Sequence, residues 1–216
     1  MLTLFEELLM LSIHEDKGTF IGWTVDRIKP GLAGAVLAEL AFAGKITVTD
    51  NHRLKVVNSD PVEDDVLNEA LAVLAQSEKE RKFTYWINAL TQKPEKLHKQ
   101  ITDRLIEKGI ISMEDDHLVW TVPTPLDPAI NATSKFCVNN RLRGIVLAQE
   151  TDDQRDIALL SLVRACNLLD LIFLKDERRY ASRQINELVL SAAMKEPLAQ
   201  TIQEIENAIA LVAEDD

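Results

Sequence analysis

Two groups of residues in this chain have side chains suited to chemistry. The first is His14, Glu15 and Asp16, in "LTLFEELLMLSIHEDKGTF" at residues 2–20. An imidazole beside two carboxylates has the composition of a metal or acid–base site. Adjacent residues on a helix point in different directions, however, so three neighbours rarely converge on one ion. They read as the solvated end of a helix stopped by Gly18. The second group is aromatic and cationic. It comprises Trp23, Arg27 and Lys29 in "TFIGWTVDRIKPG", with Lys96, His98 and Lys99 in "KPEKLHKQ". Such residues suit a phosphate monoester, whose oxygens are best held by Arg, Lys or backbone N–H groups. A neighbouring indole is comfortable at a membrane interface. The competing readings are packing for Trp23 and a solvated helix face for Lys93, Lys96 and Lys99.

Other polar residues carry less. Arg141 and Arg143 in "NNRLRG" form a patch or pair with nearby acids. His52 and His117 each follow an acidic turn and read as turn histidines. The chain contains no Gly-rich phosphate loop and no H-E-x-x-H helix. Cys137 and Cys166 match no ligand spacing. No catalytic residue, cofactor or metal is therefore expected.

The totals narrow the classes. With 24 Lys and Arg against 35 Asp and Glu, the net charge is −11. That opposes broad nucleic-acid binding and a purely electrostatic grip on an anionic membrane. Two cysteines and no secretory signal suit a reducing cytosol. The most apolar segment, residues 158–174, carries Arg164, Asn167 and Asp170 at a spacing of three. A buried helix with one polar edge explains that stripe better than a membrane span.

The elements that must position these side chains are mostly helices. Thr3 to Glu6 reads as a capping box, followed by apolar residues at helical spacing. Pro30-Gly31 reads as a turn, and "LAGAVLAELAFAG" as a packed helix ending at Gly44. It carries no Lys or Arg, as a nucleic-acid recognition helix would. "KITVTDNHRLKVV" then alternates like a hairpin. The unit recurs about 65 residues later, with Gly44 over Gly109, Ile46 over Ile111 and His52 over His117. Two helices lie between the copies. "TVPTPLDPAINAT" is irregular because of its prolines. Helices are expected near 134–149, 155–174, 176–193 and 197–213, before a frayed tail. The expectation is a mainly α fold, a single-domain compact helical bundle with two short β-hairpins.

The motifs resemble those of the Golgi phosphoprotein 3 family. "LTLFEELLMLSIHEDKGT" is similar to its first motif and "GLAGAVLAELAFAGKI" to its second. "YWINAL", "RLIEKGII" and "DIALLSLVRACNLLDLIF" follow in order, over residues 2 to about 180. The chain starts almost on the first motif, without the arginine-bearing arm of eukaryotic members, as a bacterial member would.

The resemblance implies a non-enzymatic peripheral membrane protein or adaptor, located in the cytoplasm or on the cytoplasmic face of a membrane. It implies a pocket for the headgroup of phosphatidylinositol 4-phosphate, protein partners and self-association through a hairpin. The family's pocket uses one Trp, matched by Trp23, and three basic residues. Here those three positions hold Ala33, Glu95 and His98. The lipid-headgroup candidates are accordingly Trp23, Arg27, Lys29, Lys96, His98 and Lys99, for an anionic headgroup that differs from the family's. The oligomer-interface candidates are Leu118 and Trp120 in the second hairpin. The alternative is a soluble protein–protein interaction module that has lost lipid binding.

Overall fold

The computed structural model describes residues 2–13, 25–92, 94–114, 117–120, 135–148, 151, 153–194 and 197–213. Helix α1, Leu4–Ser12, begins with the expected capping box. Thr3 Oγ1 accepts from Glu6 N–H, and the Glu6 carboxylate accepts from Thr3 N–H. Every residue of α1 is buried. A helix buried on all sides needs partners on all sides. They are α2 (Val25–Phe42), α5 (Pro94–Glu107), α6 (Lys135–Ala148) and α7 (Gln154–Ala165).

Helix α2 corrects the expectation of a turn at Pro30-Gly31: both residues lie inside it. Proline near a helix start gives up only one early hydrogen bond. Gly31 is needed for proximity rather than for turning. A Cβ there would sit 2.2 Å from Cys166 Sγ and 3.3 Å from Leu8 Cδ2. Gly34 does the same one turn later, where a Cβ would sit 2.4 Å from Ile209 Cδ1. The small residues of "GLAGAVLAEL" therefore let α1, α7 and α10 (Pro197–Val212) approach the α2 backbone closely.

The repeated unit forms twice. Helix α2 ends in the left-handed Gly44, with Lys45 N–H returning to Leu40 O at 2.9 Å. Helix α5 ends in the left-handed Gly109, with Ile110 N–H returning to Leu105 O at 3.0 Å. In both, a six-residue closure caps the helix and launches a hairpin. The first hairpin pairs β1 (Ile46–Val48) with β2 (Leu54–Val56); the second pairs β3 (Ile111–Glu114) with β4 (His117–Trp120). Helices α3 (Asp65–Ala75) and α4 (Phe83–Thr91) lie between the copies, as expected.

The buried helix expected over 155–174 is broken. Helix α7 stops at Ala165, and α8, Leu169–Ile172, restarts after Asn167 at φ 58°. Leu168 N–H returns to Val163 O at 2.9 Å, the same closure with Asn in the glycine role. Asn tolerates this backbone conformation better than most residues. Helices α9 (Arg178–Ala193) and α10 complete the bundle.

The helix directions matter for the site. Gly31 abuts Leu8, while Glu39 bonds to Leu4 N–H, so α2 runs antiparallel to α1. Lys135 reaches Ile13 O and Arg141 reaches Glu7, so α6 is antiparallel too. Lys108 lies at Glu6, whereas His98 lies beside Lys29, so α5 also starts where α1 ends. One end of the bundle therefore collects the first turns of α2, α5 and α6.

Candidate functional site

That end holds most of the cationic candidates the structure describes. Arg27 and Lys29 stand on the first turns of α2, with Lys29 exposed. His98 is half-buried on α5, and burial lowers its pKa from the usual 6.5, with the nearby Lys29 ammonium adding to the effect. The imidazole is thus neutral near pH 7 and gains charge only on acidification. Lys99 is exposed on the next position. Arg27 lies within electrostatic reach of Cys166, whose buried thiol is pushed up to about 12. Helix N-termini carry partial positive charge, which adds to these side chains. Asp26, exposed in the first turn of α2, offsets part of it.

Other candidates lie elsewhere. Lys96 points toward α3, where its ammonium donates to Glu69 Oε2 at 2.6 Å. Gln100 donates to the other oxygen at 3.2 Å. The Lys96 bond is the main reason the exposed Glu69 carboxyl lies below its ordinary range. Lys96 and His98 therefore occupy different sides of α5. Ala33, at a position the family fills with a basic residue, is 0% exposed in the core. Trp23, His14 to Asp16 and Lys93 lie outside the described residues, as do the side chains of Glu95 and His117.

The second hairpin turns its apolar face inward at its base. Ile111 is 1% exposed and Leu118 is 7% exposed. Leu118 is thus a core residue of its own chain, and Trp120 contributes only its strand backbone to the description. Among the described side chains of the hairpin, the exposed apolar ones are Met113 and Val119.

Four buried acids, missed as such in the sequence, hold the bundle that carries this end. Glu6 accepts from Lys108 Nζ at 2.6 and 2.7 Å and pairs with Arg104 Nε at 3.2 Å. Glu7 accepts from Arg141 Nη2 at 2.9 Å. Burial nevertheless keeps its pKa raised, with Arg141 working in the opposite direction. Arg141 also meets Asp156 at 3.0 Å. Glu39 takes both forks of Arg155, and Glu206 accepts from Ser161 Oγ and Arg164 Nε, each at 2.5 Å. Arg143 pairs with Glu177 and bonds to Ile172 O. Arg141 and Arg143 are therefore structural ion-pair partners, the second of the two readings. His52, at φ 55° in its turn, meets Glu204 at 2.8 Å.

Among the described residues, no helix is long and apolar enough to cross a membrane. No group of three His, Cys, Asp or Glu among them could hold a metal ion.

The family profile for Golgi phosphoprotein 3 (GPP34) matches residues 4–205. Vacuolar protein sorting-associated protein 74 of Eremothecium gossypii is 22% identical over 206 residues, covering 79% of this chain and 61% of that protein. Its namesake in Schizosaccharomyces pombe is 28% identical over 169 residues, covering 68% of this chain and 49% of that protein. The chain thus spans between about half and three-fifths of these relatives. The profile match runs from α1 into α10, through both helix–glycine–hairpin units and the buried acids Glu6, Glu7 and Glu39. On this match, the chain belongs to the Golgi phosphoprotein 3 family.

Proposed function

We propose that this protein is a non-catalytic peripheral membrane adaptor that binds an anionic, phosphate-bearing lipid headgroup at the end of the bundle where α2, α5 and α6 begin. The juxtaposition of Lys29 and His98 carries the reading: an ammonium and an imidazole, a second hydrogen-bond donor that gains charge on acidification, meet from different helices where helix N-termini add positive charge. Arg27 shares the first turns of α2 with Lys29, Lys99 follows His98 on α5, and Trp23 belongs to the chain segment leading into α2. The family's ligand is phosphatidylinositol 4-phosphate. Alanine at position 33 and glutamate at position 95 leave this chain two of the family's cations short, so another anionic headgroup is an equal candidate.

Co-sedimentation with vesicles containing phosphatidylinositol 4-phosphate, other phosphoinositides or phosphatidylglycerol tests this. Binding at low salt, weakened by Lys29→Glu, supports it; no binding to any anionic vesicle refutes it. A second reading, a protein–protein module without lipid binding, is favoured by the buried Ala33 and by the Lys96–Glu69 bond. It predicts a protein complex that forms equally well without vesicles. Self-association through the second hairpin would use the face that carries Val119, opposite to Leu118, and Val119→Ser would weaken it.

A further inference from the structure

Phe136 is 71% exposed, an unusual position for a large aromatic ring. It stands on the first turn of α6. Its neighbour Lys135 is buried and donates from Nζ to Ile13 O at 2.6 Å, which fixes this turn against the C-terminal end of α1. That is the end at which Arg27, Lys29, His98 and Lys99 gather. We propose that Phe136 is an apolar anchor that enters the interfacial layer of an anionic membrane while the basic residues meet the headgroups. The proposal rests on the lipid-binding reading above and adds a residue to it.

The physical case has three parts. First, the ring costs free energy in water and regains it on entering the interface, and Phe on such helices plays this part. Second, the protein carries a net charge of −11, so charge alone holds it weakly to an anionic surface. An uncharged contribution that salt does not screen fills that need. Third, the backbone beneath the ring is rigid: Val138 and Leu142 of α6 are buried, and Arg141 of the same helix is tied to Glu7 and Asp156. The ring is therefore presented from a fixed helix, with little left to order on binding.

The full chain is tested with vesicles of phosphatidylcholine mixed with phosphatidylglycerol, and with the same vesicles carrying phosphatidylinositol 4-phosphate. Phe136→Ala is expected to lower partitioning about tenfold, the worth of partly burying one aromatic side chain. Phe136→Trp is expected to retain it. Thermal unfolding of both variants should match the parent, since the ring packs little within the fold. Met194→Ala is the control. Met194 is 85% exposed but lies beside the first hairpin, at the opposite end of α2, so its loss should change nothing.

If the parent binds and Phe136→Ala binds equally well, the anchor is wrong while the headgroup reading stands. An equal loss from Met194→Ala shows general stickiness and also overturns the anchor. If the parent binds no vesicle, both readings fall.

Discussion

Glu39 and Arg155 form a two-pronged ion pair, with Arg155 Nη2 at 2.6 Å from Oε1 and Nη1 at 3.0 Å from Oε2. The same Oε1 accepts from the Leu4 N–H at 2.6 Å. One carboxylate thus caps the first turn of α1 from α2 and ties both helices to α7. Burial works against the Arg155 charge, but Glu39, together with the nearby Glu7 and Asp153 carboxylates, outweighs it and raises its pKa.

Glu39→Gln should therefore destabilise the protein by about 2 kcal/mol, less than a fully buried pair because Arg155 keeps some solvent contact. Arg155→Ala should cost a similar amount. The double variant should cost less than the two summed, because either change alone strands the partner. Urea unfolding of the four proteins measures this, and strict additivity would show that the pair is not coupled.

Gly31 and Cys166 offer a packing test. Gly31→Ala places a methyl group 2.2 Å from Cys166 Sγ and should cost about 1–3 kcal/mol. Removing the sulfur makes room, so Gly31→Ala with Cys166→Ala should be more stable than Gly31→Ala alone. If the second change adds to the damage, the close approach is not what the glycine serves.

Glu7 makes a pH prediction with a definite sign. Its folded-state pKa is raised from 4.5 chiefly by burial, so the native state holds that proton more tightly than the unfolded chain. Its contribution to stability is present below about pH 4.5 and is lost as pH rises through the folded value. Glu7→Gln does not titrate. The stability of Glu7→Gln relative to the parent should therefore increase between pH 4.5 and 7. Denaturant titrations across this range decide it, and a flat difference would refute the assignment.

His98 gives the opposite slope. Its pKa is lowered, so it favours the unfolded state as pH falls through 6.5. Lys29→Met removes the second cause of that lowering and should move the imidazole titration part of the way back up, as followed by proton NMR. The larger cause, burial, remains. An unmoved titration would show that Lys29 and His98 do not sense each other, and would remove the main support for the headgroup reading.

The legible parts of the fold were those written locally. Thr3 and Glu6 announce their capping box, and Gly44 and Gly109 announce two helix ends, because each signal lies within a few residues of its effect. Pro30 and Gly31 misled for a related reason. A proline–glycine step looks the same whether it turns the chain or lets Cys166 approach, and only the neighbour distinguishes them. Asn167 was hidden by its context, since Arg164, Asn167 and Asp170 also fit one unbroken helix. The acids of α1 and α2 were the least legible. Glu6 finds Lys108, Glu7 finds Arg141 and Glu39 finds Arg155 across long stretches of chain, and no local pattern encodes those meetings. Of the candidate site, residue types were readable, but Lys96 and His98 could be assigned to different sides of α5 only through Glu69 and Lys29.

The central position of α1 also sets an order of events during biosynthesis. This helix is made before every element that encloses it, and its two carboxylates must wait for Lys108 and Arg141 to be translated. Until then, leaving water would strand charge in an apolar setting. A nascent chain that has yet to produce α6 and α7 therefore cannot assemble its own centre. Its apolar helix stays exposed to the surroundings, a period in which chaperone protection matters most.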